Sequence, residues 1–180
     1  MAARKNSGRL SRAGFVECSG VDFFGQSGSG DTTTTRRGGR KKDFNIDQVV
    51  VGPTGVAAIE VKTRRKRKGR EGYKDYEVTC DGQRLIWPWG EERWGIDQLQ
   101  AEMDWLRKFI HGRTGLHIDP RPILSLPGWW VTERAVGTFR VTNAKLLPAI
   151  VRDWKPQSLT SEQIDLISRQ LDERCRDVED

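Results

Sequence analysis

Apolar residues along this 180-residue chain recur with two periods, and the switches between them mark its elements. The clearest pattern lies between Asn45 and Lys62, where two β-branched runs flank Gly52-Pro53-Thr54-Gly55. Proline at the second turn position and glycine at the fourth suit a tight turn, so the segment predicts an antiparallel hairpin. Val49, Val51 and Val56 fall on one face, and Val50, Ala57, Ile59 and Val61 on the other. Strands apolar on both faces belong inside a sheet covered on both sides.

Further on the period changes to that of a helix. Leu99, Met103, Leu106 and Ile110 share one face and predict an amphipathic helix over Ile96 to Ile110. Thr160-Ser161-Glu162-Gln163 fits a capping box, with Ile164, Ile167 and Leu171 forming the apolar face behind it. Shorter strands are expected over Tyr76 to Val78 and Arg84 to Trp87, joined by a turn at Cys80-Asp81-Gly82-Gln83. Others are expected over Pro122 to Leu126, Trp129 to Thr132 and Gly137 to Val141, with Asn143 capping a helix from Ala144 to Asp153. Phe15, Val16, Val21, Phe23 and Phe24 suggest one or two short strands, but residues 1–45 carry no helical period. The expected organisation is an irregular basic segment over 1–43, an α/β core over 44–156 and an amphipathic helix over 157–180.

Composition narrows the function. Three cysteines at 18, 80 and 175 have no metal spacing and are odd in number, which argues against a disulfide framework and for a reducing compartment, the cytoplasm by default. Only His111 and His117 are available for histidine-based zinc chemistry, and both read as surface residues. No apolar run is long enough to span a membrane, and no secretory leader is expected behind MAARKNSGR. The net charge of +6 is unevenly spread: residues 36–74 hold 13 Lys and Arg against four acids. Clustered positive charge is the footprint of a polyanion partner, although a solvated basic loop has the same composition.

The hairpin also places three chemical groups together. With Pro53 and Thr54 at the turn centre, Asp47 lies directly across from Glu60, and Lys62 points to the same face as Glu60. Opposed residues bring their Cβ atoms to about 5 Å. Two acids that close repel one another, and a hard divalent cation relieves the cost. Such an ion polarises a phosphoryl oxygen and acidifies water, while a lysine orients the attacking water or stabilises the transition state. In a plainer reading, Lys62 neutralises Glu60 at a strand end.

Asn45-Ile46-Asp47-Gln48-Val49-Val50-Val51-Gly52-Pro53-Thr54-Gly55-Val56, followed by Ile59-Glu60-Val61-Lys62, resembles the nuclease-related domain (NERD) family of the PD-(D/E)XK, or restriction-endonuclease-like, superfamily. The resemblance runs over roughly residues 44–150. It implies a mixed central sheet with helices on both faces and Mg²⁺-dependent (or Mn²⁺-dependent) hydrolysis of nucleic acid, DNA before RNA. By position, Asp47 and Glu60 become metal ligands, Lys62 the catalytic lysine, and Gln98 a residue of the helix lining the site. The family usually opens that helix with Asn-Pro-x-x-Gln, whereas here Trp94, Gly95, Ile96 and Asp97 precede Gln98. The family also begins with a helix bearing a Gly-Glu pair; in this chain that helix is expected to be lost, replaced or upstream of a truncated start.

Arg64, Arg65, Lys66, Arg67 and Lys68 follow the site directly, and phosphate contact is the favoured role for them. Trp87, Trp89 and Trp94 more readily cap a small core than stack on bases, and one of Trp129 and Trp130 is expected inside and the other outside. Three functions follow: a metal-dependent nuclease, a catalytically inactive nucleic-acid-binding module on the same fold, and a protein-interaction domain. Many nucleases of the superfamily act as homodimers, but no residue pattern here marks such an interface.

Overall fold

The computed structural model describes residues 16–22, 45–135, 137–153 and 157–176. The expectations for the Gly/Thr-rich segment and for a missing first helix lie outside these residues.

A five-stranded mixed sheet forms the centre. Its hairpin consists of β2 (Asn45–Gly52) and β3 (Gly55–Val61), turned at Pro53-Thr54 as the sequence indicates. Gly55 takes φ 113°, a region that side-chain-bearing residues rarely adopt, which is why a glycine closes the turn. The pairing sets Gln48 opposite Ile59 and Val51 opposite Val56. On the outer side of β2, β1 (Val16–Asp22) pairs antiparallel, with Val16 opposite Val51. On the other side of β3, β7 (Arg121–Ser125) and then β9 (Arg140–Thr142) add in parallel, giving the order β1-β2-β3-β7-β9.

Both faces of this sheet are covered. The 21-residue helix α1 (Trp94–Thr114) and α3 (Ser161–Arg176) lie on one face. Leu99, Met103, Leu106, Ile110, Ile164, Ile167 and Leu171 are buried there against Val49, Val51, Val56 and Ala58. The short α2 (Leu147–Asp153) lies on the other, where Val151 joins Ala57, Ile59 and Ile123. Parallel strands β3 and β7 are linked through α1, since parallel neighbours need a crossover. Thr160 and Gln163 exchange hydrogen bonds at the start of α3 (3.0 and 3.3 Å), the reciprocal cap expected from the sequence. Asn143 Oδ1 accepts from the backbone N–H of Lys145 and Leu146, capping the turn that leads into α2.

A second sheet departs from the expectation. Between β3 and α1 the chain forms β4 (Glu77–Cys80), β5 (Leu85–Trp87) and β6 (Gly90–Glu92), and β8 (Trp130–Glu133) pairs in parallel with β4. The order is β6-β5-β4-β8. The sequence indicates the β4–β5 hairpin but neither β6 nor the β8–β4 pairing. Cys80 is also corrected: it ends strand β4 and is buried rather than opening the turn, and burial pushes its thiol pKa up. Val78, Cys80, Leu85 and Trp87 extend the core of the first sheet, so the two sheets share one interior. Glu133 locks them at the edge, accepting from Val141 N–H (2.7 Å) and pairing with Arg140 (2.8 Å).

Candidate active site

The hairpin register continues from Gln48–Ile59 to place Asp47 and Glu60 opposite one another on the α1 face of the sheet. Asp47 Oδ2 accepts a hydrogen bond from Val61 N–H at 2.7 Å, so its carboxylate closes the ladder where the β2 backbone stops pairing. Lys62 lies one residue past β3, and its N–H donates to Ser125 O at 2.9 Å, which prolongs the parallel β3–β7 pairing. The backbone under all three residues is therefore fixed by sheet hydrogen bonds.

Glu60 and Lys62 are both buried. Lys62 Nζ lies 3.7 Å from Glu60 Oε1, an ion-pair distance beyond hydrogen-bond range. Among the described residues the ammonium makes no hydrogen bond. It lies 4.0 Å from the ring centroid of Trp94, a cation–π distance. Its stem passes over Gly95, where an added Cβ would come within 3.2 Å of Nζ. Trp94 thus does not join the other tryptophans as expected. Trp87, Trp89 and Trp129 pack together with ring centroids 4.9 to 5.6 Å apart, while Trp94 opens α1 and covers the lysine.

Gln98, one turn into α1, donates through Nε2 to Glu60 Oε1 (3.0 Å) and to Glu102 Oε1 (2.8 Å). Glu102 is the residue that the sequence reading misses. It is fully buried, three positions after Leu99 on the very stripe that defines the helix. A charged residue on an apolar stripe was the available signal. Burial pushes its carboxyl up to about 8; the Gln98 hydrogen bond opposes this, and the charges of Glu60 and Asp47 add to it. Glu60 is pushed up to about 7, first by burial and then by the Asp47 charge, with Lys62 pulling the other way. Buried acids with raised pKa values clustered beside a lysine single this group out as the candidate site.

The basic run leaves this site along the tryptophan cluster. Arg64, Arg65, Lys66, Arg67 and Lys68 are all exposed. Arg64 pairs with Glu92 at 2.6 Å, and its carbonyl accepts from Trp129 Nε1 at 3.2 Å. The Arg64, Lys66 and Arg67 cations lie 5.8 to 5.9 Å from the Trp87, Trp129 and Trp89 ring centroids. As expected, Trp129 is buried and Trp130 exposed. His111 and His117 are exposed and stack on one another far along α1 from the acids.

The family model described as nuclease-related domain matches residues 31–127, more than half of the chain. The chain belongs to the nuclease-related domain family. That family is part of the restriction-endonuclease-like superfamily, in keeping with the mixed sheet and its flanking helices. The match to the nuclease-related domain spans Asp47, Glu60, Lys62, Gln98, Glu102 and the basic run, whereas α2 and α3 lie beyond it. Comparison with curated proteins gave no match, and neither did comparison with solved structures.

The nuclease-related domain implies a divalent cation, and the residues present fit one of modest demand. Among the described residues no three His, Cys, Asp or Glu side chains gather into a metal-binding group. The chain would thus offer two carboxylates, Asp47 and Glu60, which suits Mg²⁺, an ion that keeps several waters and takes one or two protein carboxylates. Glu60 Oε2 is buried and receives no hydrogen-bond donor among the described residues, leaving an acceptor that a cation would use. No helix among the described residues is long and apolar enough to cross a membrane.

Proposed function

We propose that this chain is a divalent-cation-dependent nuclease that hydrolyses phosphodiester bonds, with DNA as the expected substrate. The observation that carries the reading is the buried Glu60–Lys62 pair beside the half-buried Asp47, with Lys62 Nζ 3.7 Å from Glu60 and making no hydrogen bond among the described residues. A buried ammonium with unused donors is costly unless something arrives to accept them. A phosphate oxygen or the water attacking it is such an acceptor.

Each residue has a task in this scheme. Asp47 and Glu60 would hold Mg²⁺ or Mn²⁺. When bound, that ion supplies Lewis-acid polarisation of the phosphoryl oxygen and acidification of water. Lys62 orients the attacking water or donates to the oxygen on which negative charge grows. Trp94 and Gly95 confine its stem, so little motion is needed to align it. Gln98 holds Glu60 through one N–H and Glu102 through the other. Arg64 to Lys68 bind flanking phosphates, raising affinity without reading sequence.

The test is degradation of plasmid and linear DNA by purified protein with Mg²⁺ or Mn²⁺, and its loss in Asp47→Ala and Lys62→Ala. Among the described residues only two carboxylates are offered to a cation, which favours a second reading, the catalytically inactive nucleic-acid-binding module. Binding of DNA without cation-dependent cutting would establish that reading, and no binding even at low salt would remove both.

A further inference from the structure

We propose that Glu102 is a positioning residue: by accepting one N–H of the Gln98 amide it aims the other at Glu60 Oε1, which leaves Glu60 Oε2 as the oxygen available to a divalent cation. This rests on the nuclease reading above and adds a residue to its site.

The geometry centres on one nitrogen. Gln98 Nε2 lies 3.0 Å from Glu60 Oε1 and 2.8 Å from Glu102 Oε1. A carboxylate accepts and does not donate, and the two hydrogens of an amide nitrogen diverge. Two acceptors on that nitrogen therefore fix the plane of the amide and settle which end faces Glu60. With Glu60 as the sole partner, the amide could swing about its last torsion, which is intrinsically soft. Lys62 Nζ is also drawn to Oε1, at 3.7 Å, so both neighbours act on the same oxygen. Oε2 is buried and receives no donor among the described residues. The Glu60 carboxylate is thereby held with one oxygen engaged and the other open, as a ligand to a cation needs to be.

Packing gives no reason for an acid at this position. Glu102 is fully buried on the apolar stripe of α1, among Leu99, Met103 and Leu106. Its own second oxygen, Oε2, receives no donor among the described residues. A buried carboxylate left half satisfied costs stability, and an apolar side chain of the same length would serve the stripe better. Gln98 lies four residues earlier, so the two side chains are neighbours on the helix surface and α1 alone brings them together. The helix thus gives up stability in its core to control one amide at the site.

The experiment is calorimetric titration of Mn²⁺ into metal-free protein at pH 8, without nucleic acid, beside urea unfolding of each variant at the same pH. Glu102→Met removes both the charge and the acceptor, whereas Glu102→Gln removes the charge alone. The methionine variant should be at least as stable as wild type yet bind Mn²⁺ about tenfold or more weakly, while the glutamine variant stays within about threefold. Gln98→Met should show the same loss as Glu102→Met, and the double variant should lie within about twofold of either, because both act through one amide. Equal losses in Glu102→Met and Glu102→Gln, or losses that multiply in the double variant, overturn the proposal. So does a Glu102→Met protein that is less stable than wild type or does not fold, since the acid then serves the fold. Wild-type affinity in Glu102→Met removes the proposal alone. A wild type that binds no Mn²⁺ takes the cation from the nuclease reading, and this proposal falls with it.

Discussion

Glu102 offers a test of the site's electrostatics that needs no substrate. The perturbation is Glu102→Gln, which keeps size and shape and retains an oxygen to accept from Gln98. In the folded chain the Glu102 carboxyl is raised from 4.5 to about 8. Between those values the folded state holds a proton that the unfolded state has released. The proton-linked stability is thus fully present below pH 4.5 and is lost as pH rises through 8. One such proton is worth about 1.4 kcal/mol per pH unit, so the ceiling is about 5 kcal/mol by pH 8. Because Glu60 and Asp47 share the burden, a gain of about 3 kcal/mol is the working expectation. Glutamine cannot ionise and escapes this cost. Urea unfolding at pH 5, 6, 7 and 8 without divalent cation should show the stability of the variant relative to wild type rising progressively from its value at pH 5. Any cost of the extra amide N–H is independent of pH, so the slope decides. A difference that is flat with pH, or that shifts against the variant as pH rises, would refute the reasoning.

Three further outcomes follow from the same geometry. Gly95→Ala places a Cβ against the Lys62 stem, so cleavage should fall about tenfold or more while the melting temperature holds, because positioning errors well under 1 Å are costly in catalysis. Glu60 is raised to about 7, and cation binding requires its ionised form. Apparent Mg²⁺ affinity, read by calorimetry or by activity, should therefore drop by up to about tenfold per unit below pH 7 and level off above it. Arg65→Ala with Lys68→Ala removes two exposed cations and should reduce the slope of log affinity against log salt by about 2 without changing stability.

What the sequence disclosed, it disclosed through local chemistry. The β2–β3 hairpin was legible because Pro53, Gly55 and the β-branched runs act within a few residues of one another, and its register carried Asp47 and Glu60 into opposition. Helices α1 and α3 were legible from period and cap. The second sheet was not. Strand β6 has three residues, too few for an alternation to show, and β8 meets β4 across some fifty residues of chain with no local trace. Glu102 was not legible because a lone acid among the apolar members of the α1 stripe has its partners, Gln98 apart, on strands distant in sequence. Trp94 was grouped with its sequence neighbours, but α1 begins at that residue and turns it toward Lys62, leaving Trp129 to complete the aromatic cluster.

The measurement closest to the central claim is single-turnover cleavage of a labelled single-stranded oligonucleotide with Mg²⁺, comparing wild type and Lys62→Ala with binding followed in parallel. Wild type should cut only when the cation is present. The variant should bind within a few-fold of wild type yet cut about a hundredfold to a thousandfold more slowly, as expected when one donor to the transition state is lost. Cation-independent cutting, or a Lys62→Ala protein that cuts as wild type does, would contradict the account.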